Sequence, residues 1–66
     1  MSMEKYVGRT IMIVYVDKKE QFSQRVIRVV RIESGTVFAF DVAKRQPRTF
    51  EAARILAARP VKRRAS

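Results

Sequence analysis

Arginines recur beside aromatic and β-branched residues through the middle of this chain. Arg25, Arg28 and Arg31 fall three apart, Arg48 and Arg54 bracket Phe50, Tyr15 lies near the end of an apolar run, and Phe38 and Phe40 stand two apart. A guanidinium meets phosphate or carboxylate with a planar fork of donors, and a neighbouring ring offers a face on which a base can stack. The chemistry on offer is therefore capture of an anion. Catalytic groups are poorly supplied. There is no His and no Cys, and Gly8 and Gly35 are the only glycines, so no Gly-rich phosphate loop exists. The six acids are scattered, with no pair spaced for general acid–base work or metal binding. A binding protein is expected, not an enzyme, with no metal and no cofactor.

The charge balance agrees. Fifteen Lys and Arg against six Asp and Glu give a net charge of +9, which favours nucleic acid, anionic lipid or an acidic protein as partner. Sixty-six residues make one domain at most, with a thin core, and self-association is one way such a chain gains stability. A hydrophobic content of 47% is ordinary for a folded domain and argues against a fully disordered chain. No apolar run approaches the ~20 residues needed to span a bilayer. Met1-Ser2-Met3-Glu4-Lys5 is followed by no long apolar region, so a signal peptide is not expected. The lack of cysteine is compatible with a reducing cytoplasm, the expected location.

The elements that must position these side chains are mostly strands. Ser2 can cap a short helical turn over Met3–Val7, with Gly8 closing it. Thr10–Val16 is β-branched, free of breakers and apolar on both faces, so it reads as a central strand. Asp17–Gln21 is a hairpin loop, and Ser23–Ile32 is the longest strand. Strict alternation places Arg25 and Arg31 on one face and Arg28 on the other, and a bend or bulge between them would bring them closer together. Glu33-Ser34-Gly35 is a turn with Gly35 free to take positive φ. Val37–Asp41 is a third strand with Phe38 and Phe40 on one face and Val37, Ala39 and Asp41 on the other, and Lys44–Pro47 is a basic loop. Thr49–Arg59 has two readings. Propensity favours one C-terminal helix ending before Pro60. The competing pattern is a strand at Arg48–Phe50, a helical turn at Glu51–Ala53, and a strand from Arg54 to Val61. Lys62–Ser66 is a basic tail with nothing to bury and is expected to fray.

From Thr10 to Val61 the chain resembles the WYL domain, a small Sm-like (SH3-like) β-barrel found after a helix-turn-helix in bacterial transcription regulators. Ile11-Met12-Ile13-Val14-Tyr15 fits the family's opening strand, Arg25 its second-strand arginine, and Ala39-Phe40-Asp41 the end of its third strand. Arg48-Thr49-Phe50-Glu51-Ala52-Ala53-Arg54-Ile55 fits its closing pattern, the most specific part of the match. Three departures stand out. Ile27-Arg28-Val29 lacks the family's proline, Gly35-Thr36-Val37 replaces the naming Trp-Tyr-Leu triplet, and Glu51-Ala52-Ala53 stands where Arg-Leu-Asp is usual. No helix-turn-helix fits in the remaining residues.

The resemblance implies a mostly β domain over residues 1–61, a five-stranded Sm/SH3-like barrel with a short N-terminal helical turn. It favours strand–turn–strand for the C-terminal third. It also implies binding of single-stranded RNA or DNA, or a nucleotide-like anion, in a regulatory role, alone or with a regulator protein. Tyr15, Arg25, Arg48 and Arg54 match the family's binding positions. Arg28 and Arg31 are weaker candidates, since a charge ladder can also serve to protect a strand edge. Arg54 has a structural alternative, pairing with Asp41 or Glu51 or with turn carbonyls. Phe40 and Phe50 are expected in the core. The competing function is a protein-interaction module that docks or self-associates through a strand edge, its charge serving solubility. Membrane attachment through the basic tail finds no amphipathic or lipidation signal.

Overall fold

The computed structural model describes residues 3–61. A 3₁₀ turn, η1 (Glu4–Tyr6), precedes four strands, β1 (Thr10–Val16), β2 (Phe22–Glu33), β3 (Thr36–Asp41) and β4 (Gln46–Glu51). A second 3₁₀ turn, η2 (Ala52–Arg54), leads into β5 (Ile55–Pro60). All strands lie in one antiparallel sheet of order β4-β3-β2-β1-β5. The single C-terminal helix favoured by propensity does not form. Phe50 and Ile55 are the apolar anchors of that stretch, and separate strands bury both against the sheet; tertiary burial outweighs helix propensity here. The N-terminal turn is present, but its N-cap is Met3, which makes no side-chain cap. The expected cap by Ser2 and the expected fraying of Lys62–Ser66 lie outside the described residues.

Local chemistry sets each turn. In the β1–β2 loop the Asp17 carboxylate accepts the N–H groups of Lys19 and Gln21 at 2.8 and 2.9 Å, an Asx-type closure. Ser34 and Gly35 join β2 to β3 with φ of 49° and 77°, the two left-handed residues of a type I′ hairpin whose twist suits the flanking strands. Between β3 and β4 the Asp41 carboxylate accepts the Lys44 N–H at 3.1 Å, and the Asp41 carbonyl accepts the Arg45 N–H at 2.7 Å.

The link between β4 and β5 shapes the whole sheet. These strands sit at opposite edges, yet only Ala52–Arg54 separate them. Four inter-strand gaps in a flat sheet span about 19 Å. The four residue steps from Glu51 to Ile55 reach at most about 14 Å fully extended, and less as a 3₁₀ turn. The sheet must therefore curl until its edges approach at this end. Two bulges assist. Val30 is the extra residue of β2 opposite β3, and Leu56 the extra residue of β5 opposite β1. Among the described residues β4 and β5 form no ladder with each other.

Curling gives the sheet an inside. Ile11 and Ile13, Ile27 and Val29, Val37 and Ala39, Phe50 and Ile55 point inward, and Met3 and Tyr6 of η1 complete the core. The Gly8 N–H donates to the Val29 carbonyl at 2.7 Å, and the Val29 N–H donates to the Arg9 carbonyl at 3.0 Å, tying η1 to β2. β1 is central, as its two apolar faces predict, with Met12 and Val14 half-covered on the outer face. Phe50 is in the core as expected. Phe40 is not: it lies between inward-facing Ala39 and Asp41 on β3, so it faces outward and is 38% exposed.

Two outcomes check this packing. Ile13→Ala should cost about 3 kcal/mol by denaturant unfolding, because Ile13 is wholly buried and the thin sheet cannot close the cavity. Gly35→Ala meets no atom within 4 Å, so its cost should be the left-handed backbone alone, about 1 kcal/mol.

Candidate functional site

Alternation along β1, β2 and β3 carries polar side chains onto the inner face beyond the apolar core. Tyr15 follows Ile11 and Ile13, Arg25 precedes Ile27, and Asp41 follows Val37 and Ala39. On β4, Arg48 stands opposite Ala39 and Phe50 opposite Val37, so both share that face. The four predicted residues Tyr15, Arg25, Arg48 and Arg54 are thereby linked through a continuous set of contacts.

The chain of contacts starts at Asp41. Its side chain is 3% exposed and meets Arg25 Nη1 at 3.3 Å, the Arg25 side chain being 24% exposed. The Lys44 N–H on the carboxylate, the Arg25 charge, the Ala43 N–H and the Arg48 charge hold Asp41 below the usual carboxylate range, against burial, which pushes it up. Two arginines thus act on one carboxylate. Arg48 in turn lies over the Phe50 ring at 6.0 Å, within cation–π reach. Tyr15 meets Phe50 edge-on with ring centroids 5.0 Å apart. The Tyr15 hydroxyl accepts the Glu51 N–H at 3.2 Å. Arg54 closes the set: its Nη1 donates to the Asp17 carbonyl at 3.0 Å, and its Nε lies 3.7 Å from Glu51 Oε1.

These partners divide the predicted residues by role. Arg54 takes the structural alternative: it staples η2 to the end of β1. Tyr15 is half-buried and uses its hydroxyl to hold the end of β4. Arg25 spends part of its fork on Asp41, but its Nε is buried with no hydrogen-bond partner among the described residues. Arg48 is half-buried and makes no ion pair shorter than 4 Å among the described residues. What the arrangement offers an anion is therefore a spare buried donor on Arg25 and the guanidinium of Arg48, beside two aromatic rings.

Arg28 and Arg31 lie elsewhere. The Val30 bulge reverses the alternation of β2, so Arg31 leaves the face of Arg25 and joins Arg28 on the outer face. Arg31 stacks on Phe38 at 4.3 Å.

Asp41 is the residue that sequence reasoning undervalued. Its signal was in the strand pattern, since alternation puts it on the face of Val37 and Ala39, where a carboxylate needs a cation and donors. Among the described residues no group of three or more His, Cys, Asp or Glu is placed to hold a metal ion. No helix is long and apolar enough to cross a membrane among those residues. Comparison with protein-family models, curated proteins and solved structures finds no match to this chain.

Acid titration tests the Asp41 centre. A carboxylate whose folded pKa is depressed contributes stability that is present above its unfolded value, near pH 4, and lost as pH falls through the folded value. Asp41→Asn should thus be less stable than the parent at pH 7, and the gap should narrow as pH drops below about 4. Chemical denaturation at several pH values reads this directly. Tyr15→Phe keeps the edge-on ring contact and removes the acceptor for Glu51, which should cost about 1 kcal/mol, or roughly 4–8 °C in Tm for a domain of this size.

Proposed function

We propose that this protein is a WYL-like regulatory module whose curled sheet is a small Sm/SH3-like barrel and whose inner polar end binds an anion. The ligand class is single-stranded nucleic acid or a nucleotide. Arg48 and Arg25 contact phosphate, and Tyr15 and Phe50 shape the site beside it. Arg54 positions the site by fixing η2. Binding, and not bond-making chemistry, is the activity.

The observation that carries this reading is two arginines near one carboxylate, only one of which pairs with it. Asp41 holds Arg25 in place yet leaves Arg48 without a contacting acid and Arg25 Nε without a partner. Charge-assisted donors arranged in this way are suited to phosphate oxygens. The strand–turn–strand form of the C-terminal third supports the resemblance from which these positions came. A net charge of +9 supplies long-range attraction. Docking through a strand edge has less support. Both edge strands carry a proline, Pro47 on β4 and Pro60 on β5, and proline offers no N–H to an added strand.

Fluorescence anisotropy with short single-stranded DNA and RNA at two salt concentrations tests the proposal. Binding should weaken steeply as salt rises. Arg48→Ala should weaken it about tenfold or more, the value of a charged hydrogen bond, well beyond an Arg64→Ala control. Equal losses in both variants would mean diffuse attraction without a site. No binding at low salt would overturn the reading and favour a protein partner.

A further inference from the structure

The outer face of the sheet carries a second arrangement, built on residues other than those that meet Asp41. Phe38 and Phe40 project outward from β3, the strand between β2 and β4. Each is flanked across the sheet. Arg31 and Thr49 lie on either side of Phe38, and Arg28 and Pro47 on either side of Phe40. The face thus repeats one motif twice along β3: a ring in the middle and an arginine on the β2 side.

The bulge makes this repeat possible. Were Val30 an ordinary paired residue, regular alternation would turn Arg31 inward and leave Phe38 without its cation. With the bulge, the Arg31 guanidinium lies 4.3 Å from the Phe38 ring centre. Val30, Arg31, Phe38, Pro47 and Thr49 line an open hollow of about 390 Å³, with Ala39 and Arg48 at its border. Arg31 also reaches Glu33 at 3.7 Å, but both side chains are more than half exposed, so that pair holds it weakly. Arg28 is exposed and has no acidic partner within 4 Å among the described residues.

Phe38 is half-buried and Phe40 exposed on this face, and a ring left in contact with water is costly. A core role is thereby removed for Phe40, and the cations beside both rings disfavour a basic or neutral apolar partner. Bases have π-faces for the rings, and the strand that carries them has phosphates for the arginines.

We propose that the outer face of β2, β3 and β4 is a stacking platform for two successive bases of a single-stranded nucleic acid. Phe38 and Phe40 each take a base, and Arg31 and Arg28 hold the adjoining phosphates. This surface goes beyond the inner anion site: Phe38, Phe40, Arg28 and Arg31 lie on the opposite side of the sheet from Tyr15 and Arg25, and of the inner set only Arg48 borders the hollow.

The parent sequence contains no tryptophan, so Phe40→Trp gives the full chain a single reporter at an exposed position. Its emission is followed while an eight-nucleotide single strand is added at low salt, and again with an abasic strand of the same length. Anisotropy on the labelled strands reports total binding in parallel. The base-bearing strand should quench the introduced tryptophan and the abasic strand should not. In the parent chain, Phe38→Ser should weaken binding of the base-bearing strand about 5- to 100-fold, the size of one lost stack. Arg28→Gln, an exposed change that leaves the core alone, should weaken both strands. Unchanged emission while anisotropy reports binding would overturn the platform and leave the inner site standing. Equal quenching by both strands, or no binding of either, would overturn it as well.

Discussion

Three residues, Ala52–Arg54, join strands that lie at opposite edges of a five-stranded sheet, and most of the molecule follows from that short link. A flat sheet cannot satisfy it, so the strands curl and acquire an inside and an outside. The inside closes over a core of β-branched side chains with Phe50 and two residues of η1. The link itself is fixed by side chains from elsewhere in the chain. Arg54 reaches back to the Asp17 carbonyl, and the Tyr15 hydroxyl takes the Glu51 N–H. Both contacts run between β1 and the β4–η2–β5 corner, so they hold the curl where the backbone ladder does not.

The same curl explains why charge is concentrated at one end of the inner face. The core is too thin to fill the strands from end to end, and the remaining inward positions fall to Tyr15, Arg25, Asp41 and Arg48. A buried carboxylate there is tolerable because the Lys44 N–H and the Arg25 guanidinium meet it, with the Arg48 charge nearby. Asp41 holds Arg25 and the β3–β4 loop, and Arg54 holds the corner.

Much of this was legible in the residues. The β-branched run Thr10–Val16, the turn at Ser34-Gly35 and the alternation of Val37–Asp41 each dictated local structure through sterics and burial, and each appears as read. The Thr49–Arg59 stretch was not legible from propensity. Its alanines favour a helix locally, and only the burial of Phe50 and Ile55 on different strands decides otherwise. The grouping of the β2 arginines was also hidden. A bulge adds one residue without any glycine or proline to mark it, and that residue moves Arg31 to the other face. The pairing of Arg25 with Asp41 links positions sixteen residues apart and depends on register. The exposure of Phe40 was hidden as well: next to a charged Asp41 the ring reads as the buried partner, and only the pairing of Asp41 with Arg25 on the inner face turns Phe40 outward.

The central claim is that Arg25 and Arg48 present donors to an incoming phosphate on the inner face. Side-chain guanidinium resonances in a two-dimensional ¹H–¹⁵N NMR spectrum, followed while a mononucleotide is added, address it most directly. The account predicts that the Arg25 and Arg48 Nε–H signals shift together and saturably, while the Arg54 signal, already held by the Asp17 carbonyl and Glu51, moves little. Shifts spread evenly over all arginines, or confined to residues far from Asp41, would contradict it.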